Sequence, residues 1–72
     1  MLIIYRVNYE LLREKRREKG FTLNEMAKLL NLSNRVSYFH KEHGDNPFKD
    51  QEIAFLVPFF GITFNDFFTK ED

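Results

Sequence analysis

What most constrains this chain is how often it tells one helix to stop and another to begin. Stop and start signals fall two positions apart at Gly20 and Thr22, at Asn31 and Ser33, and at Gly61 and Thr63. Gly and Asn tolerate the left-handed conformation that ends helices, whereas Thr and Ser accept from the unpaired N–H groups that begin them. A chain punctuated this way cannot build one long helix or a broad sheet. It is restricted to short helices joined by tight turns.

The signals predict five helices. Asn8 caps the first, which runs through Leu11 and Leu12 to Lys19 and ends at Gly20. Thr22 and Glu25 form a T-x-x-E capping box for the second, whose buried side is Met26, Ala27, Leu29 and Leu30. Asn31 ends it, Leu32 plugs the turn, and Ser33 caps a third helix over about residues 34–43. After the Gly44-Asp45-Asn46-Pro47 turn, Ile53, Phe55, Leu56, Val57, Phe59 and Phe60 read as a mostly buried fourth helix ending at Gly61. Pro58 falls inside it, which predicts a kink or an early end unless the last turn loosens. Thr63 and Asp66 cap a final turn with Phe64, Phe67 and Phe68. Residues 2–5 are β-branched and aromatic enough for a lone strand, whose partner lies either on the domain or on another chain. The expectation is one all-α domain over residues 1–72, with that short N-terminal strand.

Seventy-two residues hold one small domain of modest stability, with no room for a second. The absence of cysteine excludes a disulfide framework and a thiolate zinc site, and fits a reducing compartment. The apolar run Leu2-Ile3-Ile4-Tyr5 is too short for a signal-peptide core, and none approaches the ~18 residues of a membrane span, so the chain reads as soluble and intracellular. Net charge is zero but unevenly spread. Residues 1–20 carry six basic and three acidic side chains, residues 21–44 three and two, and residues 45–72 two and six, giving +3, +1 and −4. A protein that coats nucleic acid indiscriminately is excluded, and any DNA binding must come from a local patch. The run Arg13, Lys15, Arg16, Arg17, Lys19 is interleaved with Glu14 and Glu18, so it reads as a solvated helix face with local ion pairs or as a phosphate-binding stripe.

The informative constellation is Gly20-Phe21-Thr22, Ala27, Leu32-Ser33 and the turn near Pro47. A short helix, a tight turn and a second capped helix make a helix-turn-helix over about residues 23–43, provided that the helices approach closely. The small Ala27, with Leu32 in the turn and Val36 on the second helix, permits that approach. From chemistry alone, Asn34 and Arg35 stand at the start of the reading helix, where Asn can pair with adenine and Arg can fork onto guanine. Tyr38 lies one turn on. Ser33, Ser37 and Lys41 offer phosphate contacts, and Lys28 with the amides after Thr22 can clamp backbone nearby.

These stretches, together with Leu12-Arg13-Glu14, Lys19-Gly20-Phe21-Thr22, Glu25-Met26-Ala27-Lys28-Leu29-Leu30, Asn46-Pro47 and Gly61-Ile62-Thr63-Phe64-Asn65-Asp66-Phe67-Phe68, resemble the XRE-like helix-turn-helix family of phage Cro and lambda-type repressors. The resemblance spans most of the chain. It implies a five-helix, lambda-repressor-like DNA-binding domain whose third helix enters the major groove. At this size, with no effector domain, the chain is similar to the lytic-side switch proteins of temperate phages, and more narrowly to the small Cro-like modulators of repression from phages of Gram-positive bacteria. The partners so implied are operator double-stranded DNA and either a partner repressor or a second copy, in the cytoplasm of a bacterial host, without membrane, small-molecule substrate or cofactor. The chain departs from the family in two places: Leu23 stands where Gln is usual, and residues 33–44 do not follow the S-x-x-T-I-S-x-x-E-x-G run. Base contacts therefore do not transfer position by position.

Of the nine phenylalanines, Phe55, Phe59, Phe60, Phe64, Phe67 and Phe68 fall within fourteen positions. A narrow helix face cannot bury all of them, so this acidic region reads either as an aromatic-rich core or as a protein interface with an acidic rim. Such an interface suits a protein-binding modulator that masks or redirects a partner repressor. An enzyme is not expected, because the chain offers no cysteine nucleophile, glycine-rich phosphate loop or paired-carboxylate pocket. His40 and His43 lack an evident third ligand, and no metal is expected.

Overall fold

In a computed structural model of the protein, the backbone is described for residues 4–71 and the side chains for residues 5–69. The element order is β1 (Ile4–Val7), α1 (Tyr9–Lys19), α2 (Leu23–Leu29), α3 (Arg35–Glu42), α4 (Asp50–Phe60), α5 (Phe64–Phe67) and β2 (Phe68–Glu71). Each helix starts and stops where local chemistry dictates. The Asn8 side chain accepts from the Leu11 N–H at 3.3 Å, and Gly20, at φ 75°, closes α1. Thr22 and Glu25 exchange hydroxyl and carboxylate bonds with each other's backbone N–H at 3.1 and 2.9 Å, and Thr63 and Asp66 repeat the arrangement on α5. Asn31 takes the left-handed conformation at φ 58°, turning the chain out of α2.

One start is displaced from its expected position. Asn34, not Ser33, caps α3: its backbone is extended and its side-chain oxygen accepts from the Ser37 N–H at 3.0 Å. Pro58 sits in the last turn of α4, and the helix continues to Phe60. The carbonyl deprived of a partner there belongs to Ala54, which is exposed and can bond water instead.

The all-α expectation needs a correction, because a second strand, β2, follows α5 and pairs with β1 in a short two-stranded sheet. β1 pairs antiparallel with β2 in the register Ile4↔Glu71, Tyr5↔Lys70, Arg6↔Thr69 and Val7↔Phe68. The Asn8 N–H also donates to the Phe67 carbonyl at 2.8 Å, so the pairing clamps the start of α1 to the end of α5. Two four-residue strands are marginal alone, and these rest on the helices through Val7 and Phe68, both packed against the core. Leu2 and Ile3, at the start of the expected strand, lie outside the described residues.

The core takes Leu12 from α1, Met26 and Ala27 from α2, Tyr38 from α3, Leu56, Val57 and Phe60 from α4, and Phe67 from α5. Phe21, Leu23, Leu30, Leu32, Phe48 and Ile53 close it from the sides. Leu23, where the resembled family carries Gln, thus serves packing. Val36 does not, since it is 52% exposed and Tyr38 is the residue that α3 sends into the core. Among the described residues, no helix is long and apolar enough to cross a membrane.

Candidate nucleic-acid interface

α2 and α3 are joined by the turn at residues 30–34, in which the Leu32 N–H donates to the Ala27 carbonyl at 2.8 Å. α3 is held from below by three anchors on two successive turns. Tyr38, Lys41 and Glu42 are all buried. Glu42 receives the Arg16 guanidinium from α1 in a two-pronged pair, Nε to Oε2 at 2.8 Å and Nη2 to Oε1 at 3.1 Å. Arg16 also donates to the Phe21 carbonyl at 3.0 Å, and Arg13 donates to the Glu42 carbonyl at 3.3 Å. Lys41 reaches the other way, to Glu52 of α4 at 2.5 Å and to the Pro47 carbonyl at 3.2 Å. Glu52 additionally accepts from the Lys49 N–H at 2.7 Å. Adjacent residues of α3 are therefore tied to opposite neighbours by charge-assisted bonds, which fixes the helix in rotation as well as position.

Among the described residues the buried Tyr38 hydroxyl lies near Glu42 but meets no partner with hydrogen-bond geometry. Burial pushes its phenol well above the ordinary range, and the nearby Glu42 carboxylate adds to the shift.

With Tyr38, Lys41 and Glu42 facing inward, the 100° step per residue turns Val36, Phe39, His40 and His43 outward. Val36 and Phe39 are 52% and 39% exposed. Phe39 stacks on the His43 ring at 4.0 Å between centroids. Both histidines are oriented through Nδ1, His40 by the Asp45 carboxylate at 3.0 Å and His43 by the Phe39 carbonyl at 2.9 Å.

The residues expected to meet DNA divide accordingly. Ser33, Asn34, Arg35, Lys28 and Thr22 are exposed, and Ser37 is half-buried. Arg35 forms no ion pair among the described residues, and it stands exposed in the first turn of α3. Tyr38 and Lys41 are corrections: the first belongs to the core and the second to a buried ion pair, so neither is free to touch bases or phosphate. Asn34 is altered in its chemistry. Its Oδ1 already accepts from the Ser37 N–H and, at 3.4 Å, from the Ser37 hydroxyl, which removes the acceptor a two-pronged adenine contact requires. At Thr22 the amide is occupied by Glu25, whose carboxylate is held below its ordinary range by the Thr22 amide and hydroxyl. A negative charge thus sits where a phosphate was expected.

The phenylalanine group also divides. Phe60 and Phe67 are core, 4% and 0% exposed, and are no part of a surface. Phe59 and Phe68 are half-buried, while Phe55 and Phe64 are 38% and 57% exposed. The exposed rings belong to separate places. Phe55 stacks on Phe59, which meets Phe21 edge-on and lies beneath the Lys19 ammonium at 5.4 Å. Phe64 and Phe68 line a shallow depression with Tyr5 on one side and with Asp50, Ile53 and Ala54 on the other. Among the described residues no group of three metal-ligating side chains forms, so His40 and His43 have no third ligand there.

The buried ion pairs and the outward Val36 and Phe39 escape a reading of the sequence. The available signal was the phase of α3: placing Lys41 inward turns both Val36 and Phe39 out. Compared with protein-family models, with curated proteins and with solved structures, the chain finds no match.

Proposed function

We propose that this chain is a helix-turn-helix transcriptional regulator that binds operator double-stranded DNA through α2 and α3, as the resemblance to XRE-like phage switch proteins implies. The observation that carries the reading is the presentation of α3. A short helix anchored beneath by Tyr38, Lys41 and Glu42 projects its N-terminal end past the turn from α2, with an Arg35 that forms no ion pair among the described residues. Arg35 supplies a fork for guanine, and Lys28 and Ser33 supply phosphate contacts. A two-fold dimer would address half-sites ~34 Å apart. The setting that follows is the cytoplasm of a bacterial host.

Binding of the purified protein to the regulatory region beside its own gene, followed by fluorescence anisotropy at two salt concentrations, tests this. Salt-sensitive binding that Arg35→Ala abolishes is expected. Salt-independent binding, or binding indifferent to Arg35, overturns the reading.

A second reading is favoured by the depression at Tyr5, Ile53, Phe64 and Phe68 with Asp50 at its margin. That surface suits a protein-binding modulator that engages a basic partner repressor. Phe64→Ser removes an exposed ring without touching the core, and should abolish complex formation with such a repressor while leaving the domain folded.

A further inference from the structure

Granting the DNA reading above, on which this rests, we infer that α3 recognises thymine methyl groups through Val36 and Phe39, so that methyl contacts, more than polar base contacts, determine its preferred sequence. The major groove presents each base pair as a pattern of donors and acceptors, with one apolar feature, the thymine C5-methyl. The polar side chains of α3 are largely committed elsewhere. The Asn34 carbonyl oxygen caps Ser37, and the Ser37 hydroxyl lies against that same oxygen. Tyr38 is in the core, Lys41 is on Glu52, and Glu42 is on Arg16. What remains, among the described residues, is Arg35 in the first turn and the Nε2 atoms of the two imidazoles.

Val36 lies in the middle of the outward face, flanked by His40 and His43, with Phe39 at its side. Phe39 stacks on the His43 ring and meets the edge of His40 at 5.8 Å, which presents it as an apolar surface. α3 itself turns no carboxylate outward. Glu42, the only carboxylate within α3, is turned inward beneath Arg16, and Asp45 just beyond is engaged by His40. No acid of the helix itself opposes the phosphates that flank a groove.

The test starts from the full chain and a random pool of duplex DNA, from which bound sequences are enriched. The enriched duplex is then remade with deoxyuridine for thymidine, which deletes the methyl and leaves every hydrogen-bonding group. Each contacted methyl should be worth about fourfold in affinity, the equivalent of one buried carbon. The exposed-site double variant Val36→Ser, Phe39→Ser should bind thymine and uracil duplexes alike. An enriched sequence that wild-type protein binds equally well with uracil overturns this inference and leaves the DNA reading standing. A pool that yields no enriched sequence overturns both, and makes the Val36–Phe39 face a protein-docking surface.

Discussion

Replacing Glu42 by alanine should be among the most damaging single changes available outside the apolar core. Its carboxylate is fully buried and meets the Arg16 guanidinium at 2.8 and 3.1 Å, with only 13% of the Arg16 side chain exposed. Truncation leaves that guanidinium with the Phe21 carbonyl alone, and breaking a buried pair from one side costs about 3–5 kcal/mol. A 72-residue domain at roughly 0.05–0.15 kcal/mol per residue has a total of about 4–11 kcal/mol, so the loss is a large share of it. Urea denaturation followed by circular dichroism measures this directly. At the ~1 kcal/mol per molar slope expected for so small a protein, the midpoint should fall by about 3–5 M, or the variant should be unfolded without denaturant. Removing both charges together, as Arg16→Met with Glu42→Leu, should recover most of the stability, because an apolar pair of similar volume leaves no stranded charge. If Glu42→Ala falls by less than about 1 kcal/mol, the pair behaves as a solvent-screened surface contact and the argument that it anchors α3 is wrong.

Tyr38→Phe removes a buried hydroxyl that has no hydrogen-bonded partner among the described residues, so stability should be unchanged or rise by up to about 1 kcal/mol. The raised Tyr38 phenol gives an alkaline dependence. The unfolded state ionises near pH 10 while the folded state holds its proton, so stability is intact below pH 10 and falls as pH climbs above it; Tyr38→Phe should remove that component of the fall in denaturation midpoint. Glu25 and Asp66 are both held below their ordinary values by capping bonds, so their contributions are present above pH ~4.5 and are lost as pH drops through the depressed values. Acid titration of Glu25→Gln with Asp66→Asn should show a weaker dependence between pH 5 and 2 than wild type. Gly61→Ala should lower stability by about 1 kcal/mol from strain at φ 68° alone, since no neighbour lies within 4 Å of an added methyl; an unchanged thermal midpoint would contradict this.

The helices of this protein were legible because their boundaries are set within three or four residues. Asn8, the Thr22–Glu25 and Thr63–Asp66 boxes, Gly20, Asn31 and Gly61 act on backbone groups beside them, and the chain obeys them. Where two neighbours could serve, as with Ser33 and Asn34, the choice rested on which side chain reached the Ser37 N–H. The partner of β1 was not legible, because Phe68–Glu71 is only four residues long and joins β1 across the whole chain. Nor was the fate of the phenylalanines: six rings within fourteen residues predict that some are exposed, but not that Phe60 and Phe67 go inward and Phe55 and Phe64 outward.

Sequence alone determined the number of helices, where most begin and end, and the absence of any cysteine chemistry, since each follows from local bonding or from composition. Tertiary structure decided which way α3 faces. That depends on Arg16, twenty-six residues before Glu42, and on Glu52, eleven residues after Lys41, and spacing does not pair charges that meet only after the helices pack. Once those pairs close, Tyr38 and Lys41 are withdrawn from the surface and Val36 and Phe39 are presented, so the chemistry of the candidate interface follows from two ion pairs beneath it.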